Sequence, residues 1–309
     1  MCSYTCMQVA TKSLDVAPMW DSVCYNAGFI VIRPTPLGKQ LYLIIRQMTK
    51  ASKMDDQASL NRALKTLGAW NSSFRMRVLN KRSFLSGRDY FEKSGRLLPK
   101  ANDCDRSRSP DCPIVVHNNW IVSRNAKIYR FREHLMWLYD GNDQYYSSQT
   151  RKYLAYTNPK SPNATGARQV AALSTALAVG RLLNRVVILP KFLGSKMREC
   201  PLNSLVRISR LDSCFKDQFR ESSFLRHPKV PADVKRKPYD AAKQLRRNNA
   251  ADLRLTSGKL LQLFANITAK VLNFGSLFGV EITFDDEAEG EQFNEMVQNC
   301  IRRAGYRQY

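Results

Sequence analysis

The sequence predicts an α/β protein. Three observations carry the prediction: apolar runs too short for helices alternate with stretches of helical spacing, Pro, Asn and Ser clusters part them, and polar residues gather where the apolar runs end. After an opening without periodic pattern, residues 25–33 (Tyr-Asn-Ala-Gly-Phe-Ile-Val-Ile-Arg) read as a buried strand closed by Pro34 and Pro36. Leu37, Leu41, Ile44, Ile45 and Met48 then follow helical spacing. Asp55 or Asp56 caps a further helix that carries Leu60, Leu64 and Leu67 on one face. Short strands are expected at 76–79 and 114–117, parted by a polar Arg/Ser/Asp/Pro loop at about 99–113. A helix over 127–138 is expected to turn Ile128, Phe131, Leu135 and Leu138 inward.

An Asn/Pro/Ser-rich linker follows, and a helix over 167–183 runs directly into the strand Val186-Val-Ile-Leu-Pro190. Residues 228–257 are charged and proline-marked, and read as a loop or poorly ordered insertion. At the end, Phe293, Met296, Val297, Cys300 and Ile301 form an amphipathic helix behind the acidic stretch 285–291, a favourable charge for a helix N-terminus. There is no internal repeat.

With 309 residues, 44% of them hydrophobic, the chain has material for about two domains and is not globally disordered. Lys and Arg number 49 against 26 Asp and Glu, a net charge of +23 that favours polyanionic company. The basic residues are scattered, and no zinc-finger spacing, aromatic RNA-binding signature or basic zipper appears, which argues against nucleic acid as the partner. Among the eight cysteines, Cys104 and Cys112 bracket a polar loop suited to a local disulfide, and none has the paired spacing of a structural zinc site. Sequons at Asn71, Asn163 and Asn266 lean the same way, toward the secretory pathway. No run of 18 apolar residues occurs, so no transmembrane segment is expected in this chain, and residues 1–21 lack the apolar core of a signal peptide.

Three short pieces place chemistry at strand ends or helix starts, where α/β sites form. In Asn26-Ala27-Gly28-Phe29 the small pair lets a ligand approach the backbone, while Asn26 supplies donor and acceptor. In Asp55-Asp56-Gln57-Ala58-Ser59-Leu60-Asn61, Asp56 and Gln57 can grip sugar hydroxyls, with Gln57 near a reacting anomeric carbon; capping is the competing role. In Ile114-Val-Val-His117-Asn118-Asn119-Trp120, the histidine ends an apolar strand, where an imidazole can ligate a metal, and Lys127 downstream can neutralise a diphosphate.

In this order and spacing the three pieces resemble the nucleotide-diphospho-sugar transferases of glycosyltransferase family 77, and more distantly family 8. The likeness rests on an Asn-x-Gly-Phe strand, an Asp-Gln-x-x-x-Asn helix start and a late His-Asn-Asn strand end, over residues 15–157. It implies a partial GT-A-like layer followed by a second, Rossmann-like α/β region: a first domain at 1–157, a linker at 158–165 and a second domain at 166–309 with the insertion at about 228–257. It implies a Mn2+ ligand at His117 and catalytic roles for Gln57 and Asp56. It also implies donor-binding roles for Asn26, Ala27, Gly28, Asn118 and Lys127. The implied reaction moves a sugar from a nucleotide diphosphate to a glycan or glycoprotein acceptor, with retention, in the Golgi lumen. A non-catalytic glycan- or partner-binding derivative of the fold is the alternative.

The chain departs from the family pattern at two places. Ser123 stands where the family has Gly after the His-Asn-Asn-Trp run. The Asp-x-Asp metal motif expected before the Asn-Ala-Gly-Phe strand has no counterpart, so the nucleotide-binding half is expected to be missing from this chain and turnover with it. A literal Asp103-Cys104-Asp105 falls in the polar loop on the other side of that strand and reads as coincidence. The run from Ala172 to Pro190 is similar to the helix-then-strand opening of fucosyltransferase-like Rossmann domains, with Asn163-Ala-Thr-Gly-Ala in place of their glycine-rich turn.

Overall fold

The computed structural model describes residues 14–21, 23–52, 54–93, 112–141, 144–159, 165–194, 199–248 and 254–301. They fall into two compact units, Met1–Trp120 and Ile121–Tyr309. In the first unit β1 (Val16–Trp20) pairs antiparallel with β2 (Tyr25–Ile32). Two helices follow, α1 (Pro36–Ser52) and α2 (Asp56–Trp70), then β3 (Phe84–Ser86) and β4 (Val115–His117), which pair in parallel.

The hairpin is packed on both faces, with most β2 side chains half-buried, which explains an apolar run without alternation in β2. One face sets Val16, Ile30 and Ile32 against Leu41, Leu60, Leu64 and Leu67 of the helices. The other sets Ala17, Met19, Phe29 and Val31 against Leu79, Phe84 and Val115. Thr35 starts α1 by accepting from Gly38 N (3.0 Å) while its hydroxyl donates to Asp15 (2.6 Å), and Pro36 occupies the first turn, where no N–H is needed. Asp55, one of the two anticipated caps, holds the start of α2 by accepting from Ala58 N.

Sequence periodicity passed over β1, because Pro18 interrupts a run of five residues; the structure accommodates it at a register shift between Pro18 and Met19. The strand expected at 76–79 is instead an irregular segment. It follows β1 through one bridge, Val16 to Met76, and through Arg77 N and Leu79 N donating to the Val16 and Pro18 carbonyls.

The second unit is built on a parallel sheet of β5 (Tyr153–Thr157), β6 (Val186–Ile188), β9 (Phe219–Arg220), β10 (Tyr239–Asp240) and β12 (Val271–Ser276), in the order β10-β12-β5-β6-β9. Shorter pairs flank it: β7 (Phe192–Leu193) with β8 (Glu199–Cys200), and β11 (Arg254–Thr256) with β13 (Glu281–Thr283). Its helices are α3 (Arg124–Glu133), α4 (Gly166–Leu182), α5 (Ile208–Cys214), α6 (Ala241–Asn248), α7 (Ser257–Phe264) and α8 (Glu287–Cys300). Residues 153–157, which the sequence reading places in the first domain, are thus the central strand of this sheet.

The crossover β5-α4-β6 is the unit's spine. Helix α4 buries Ala172, Leu173, Ala176, Leu177 and Val179, and the small residues let it lie close to the sheet. At Gly180 a Cβ would stand 2.7 Å from Val187 Cγ2 and 2.8 Å from the Arg185 carbonyl, so only glycine fits. The anticipated terminal helix is α8, capped by Asp286 with Glu287 and Glu289 in its first turn. Cys300 at its end is disulfide-bonded to Cys214 of α5. The pairing anticipated between Cys104 and Cys112 lies outside the described residues because Cys104 does.

Two expectations are corrected here. Helix α3 ends at Glu133, with Leu135 in the left-handed region (φ 56°), and buries Ala126, Tyr129 and Arg130 rather than the expected stripe; Leu138 is 67% exposed. In region 228–257 the described residues 228–238 are irregular, as expected, but Val230 and Val234 enter the core, and beyond them β10 pairs with β12 and Ala241 and Leu245 anchor α6; so few apolar residues among so many charges gave no visible period.

The core of this unit encloses charge. Arg220, the last residue of β9, and Glu221 after it are fully buried; the Tyr145 hydroxyl donates to Glu221 (2.7 Å), and the Arg132 and Arg220 guanidiniums lie 3.4 and 3.9 Å from the Tyr145 ring centre. Nearby in the chain, burial lifts the Glu133 carboxyl from 4.5 to about 8, the Glu221 charge adding to it while Leu202 N and Arg130 oppose it. The folded chain then holds a proton that the unfolded chain releases between those values. This contribution to stability is complete below pH 4.5 and is lost as pH rises toward 8. Glu133→Gln, neutral throughout, should flatten that fall in melting temperature between about pH 5 and 8. A wild-type melting temperature that rises over the window, with the rise abolished in the variant, is the contrary result.

Candidate functional site

In the first unit the end of β1, the start of β2 and the exit of β4 meet at one carboxylate, Asp21. It is 4% exposed. Its Oδ2 accepts from Asn26 Nδ2 (2.9 Å) and from Asn119 Nδ2 (2.7 Å), and its Oδ1 from the Trp120 indole (2.9 Å). Bonds from neutral donors to an ionised acceptor are the strong ones, so Asp21 fixes the Asn-Ala-Gly-Phe and His-Asn-Asn-Trp pieces on each other. Asn119 in turn accepts from Gly87 N (2.7 Å), and Asn26 Oδ1 accepts from Gly28 N (2.6 Å), tightening the start of β2.

His117 ends β4 opposite Ser86 of β3. Its imidazole lies directly against Gly28: a Cβ built there would overlap the ring, with even Nδ1 only 2.7 Å away. The glycine therefore serves the close approach of a side chain from the third piece, not only of a ligand. The second piece joins through α2. Asn61 accepts from Tyr25 N (3.0 Å) and donates to Tyr25 O (2.7 Å), and Gln57 Nε2 donates to Cys24 Sγ (3.2 Å). Asp56 stays exposed at the helix start, accepting from Gln57 N (2.8 Å). Two cations flank the region on aromatic faces, Lys81 over Trp20 (4.7 Å) and Arg88 over Trp120 (5.2 Å).

The structure thus brings Asn26, Gly28 and His117 together and ties Gln57 to the same β1–β2 turn; Ala27 packs toward the helices, and Asn118 is buried. Lys127 belongs to α3 of the second unit, on the wall of a cavity of about 610 Å³ with Val122, Ser123, Arg124 and Trp137. Ser123 caps α3 at a φ of 82°, a conformation that favours the glycine the family pattern has there. Sequence reasoning missed Asp21. Its signal was available: an acid five residues before Asn26 in a segment otherwise apolar.

Among the described residues, no three His, Cys, Asp or Glu side chains converge as metal ligands, and both Asp21 oxygens are engaged by N–H donors. A hard divalent ion such as manganese needs several oxygen ligands, so His117 and its described neighbours do not by themselves fit one. Asp103 and Asp105 lie outside the described residues.

An α/β chain with amide, carboxylate and imidazole groups gathered at strand ends has the layout of a protein that handles a small polar ligand. Residues 5–131 match the family model of the nucleotide-diphospho-sugar transferases, a stretch that contains all three pieces. No curated protein and no solved structure matches the chain. No described helix is long and apolar enough to cross a membrane.

Proposed function

We propose that the chain is a glycosyltransferase component whose first unit holds a nucleotide-sugar donor around Asn26, Gly28, His117 and Gln57, with a glycan as acceptor. The observation that carries the reading is the Asp21 network. It joins Asp21 to residues 98 and 99 positions on in sequence, and so gathers pieces that the family match contains. In this reading the Gln57 amide orients the sugar through its hydroxyls, while Asn26, buried and bonded to Asp21 and Gly28 N, holds the β2 backbone that the donor meets. His117 stands over the β2 backbone against the donor, and the exposed carboxylate of Asp56 faces the acceptor. Lys81 and Arg88 offset diphosphate charge. Asn118 completes the donor set, and transfer proceeds with retention of configuration. The Cys214–Cys300 disulfide and an exposed sequon at Asn266 support residence in the Golgi lumen.

Among the described residues no set of carboxylates joins His117 as metal ligands, which favours a second reading, a donor- or glycan-binding protein without turnover. Titration of the purified chain with UDP- and GDP-sugars, with and without manganese, decides. Binding of at least one sugar nucleotide, weakened about tenfold or more in His117→Ala, is the expected result. A folded chain that binds none of them, or a His117→Ala variant that binds equally well, overturns the site. Hydrolysis or transfer in the same samples separates an enzyme from a binding protein.

A further inference from the structure

The second unit carries a concavity that the donor-site reading leaves unused. It lies at the N-terminal ends of three adjacent parallel strands: residues 150–152 lead into β5, Arg185 and Val186 open β6, and residues 216–218 lead into β9. Its volume is about 800 Å³, and its wall presents Arg151, Lys152, Arg181, Arg185 and Lys216 against a single carboxylate, Asp217.

Two of these cations are committed to the fold. Arg185 donates to the carbonyls of Tyr153, Ile267, Ala269 and Lys270, bracing the bottom of the sheet. Arg181 pairs with Glu289 (3.4 Å) and donates to Gln292 (3.2 Å). Arg151, Lys152 and Lys216 differ: among the described residues no carboxylate stands within ion-pair distance of any of them.

Like charges gathered in a concavity with low-dielectric walls focus their field and raise the local concentration of anions. The volume falls in the range of small-ligand sites, roughly 300–1,000 Å³. Among the described residues no aromatic ring lines it, so they offer no platform on which nucleobases could stack. We propose that this concavity binds an acidic saccharide through its carboxylate or sulfate groups, at a site of the second unit's own. The anion chemistry stands on the wall alone; the choice of a saccharide rests on the glycosyltransferase reading.

The test uses the full chain and four labelled probes: an oligogalacturonide, a heparin-derived oligosaccharide, a neutral malto-oligosaccharide and an oligodeoxynucleotide of matched charge. Lys152 and Lys216 are exposed, so the K152E/K216E variant should fold, and K39E/K65E in the first unit matches its change of charge. The expected result is binding of at least one acidic probe and not of the neutral one. Carboxylate and sulfate are told apart by which acidic probe binds more tightly. K152E/K216E should weaken binding roughly tenfold or more, and K39E/K65E by less than about twofold. Equal losses in both variants would mean diffuse attraction to a basic chain and overturn the site. So would failure of both acidic saccharides, or an oligodeoxynucleotide that binds as tightly as the better of them. Nucleotide-sugar titration of the same preparations keeps the two readings apart. A chain that binds acidic saccharide but no sugar nucleotide leaves this site standing and removes the donor site.

Discussion

Asp21→Ala should dismantle the candidate site and destabilise the first unit by about 3–5 kcal/mol, because it removes one buried acceptor from three N–H donors at once. Each bond to a buried ionised group contributes roughly 1.5–3 kcal/mol, and the donors' own desolvation is left uncompensated when the acceptor goes. Asp21→Asn is the sharper probe. If its amide nitrogen replaces Oδ2 it meets two donors, Asn26 and Asn119; if it replaces Oδ1 it meets the Trp120 indole. Either orientation sets donor against donor, so the isosteric change should still cost about 1–3 kcal/mol. Trp20 and Trp120 fluorescence and hydrogen exchange at 14–32 and 112–120 report the change locally. Protection of both segments unchanged in Asp21→Ala is the outcome that sinks the network's role. Sugar-nucleotide affinity should fall with it, since Asn26 and the residues after His117 lose their common anchor.

The second large effect belongs to the other unit. Glu221→Ala should destabilise it by about 3–5 kcal/mol, a large share of the 5–15 kcal/mol typical of a folded domain. The carboxylate is fully buried, receives the Tyr145 hydroxyl, and its charge faces Arg132 and Arg220. Truncating it leaves two guanidiniums enclosed without their counter-charge. Burial alone would drive Glu221 toward its neutral form and raises its pKa, while Tyr145 and the two arginines oppose that shift. Glu221→Gln keeps an acceptor for Tyr145 and should cost less than the alanine variant. Hydrogen exchange across β5, β6 and β9 measures both. A loss below about 1 kcal/mol in Glu221→Ala would mean that the cluster is solvated and contributes little.

The sequence made the local elements legible where one physical signal dominated. The leucines of α2 at helical spacing, Asp55 before them, the apolar run of β2 and the acidic start of α8 each predict their own environment, and each is found in it. Two competing signals defeated that reading elsewhere. Pro18 masks β1, and the charges around Val230, Val234, Ala241 and Leu245 mask a stretch that closes the core of the second unit. In α3 the expected apolar stripe lost to Arg130 and Tyr129. Arg130 is fully buried and its charge acts on Glu133 of the same helix, an arrangement that an apolar period does not report.

The same division holds for the site. Residue types and their order sufficed to single out Asn26, Gln57 and His117 as candidates, because a strand end or a helix start is written in a few consecutive residues. What only the tertiary structure decided is their mutual arrangement: that the His117 ring occupies the space Gly28 leaves open, and that Asp21 holds Asn26 and Asn119 on one carboxylate across 98 positions of chain. It likewise decided that three strand starts bring Arg151, Lys152 and Lys216 into one concavity, where the sequence showed only scattered basic residues. Hydrogen bonds and charge act over a few ångströms of space, whereas patterns in a sequence report only neighbours along the chain.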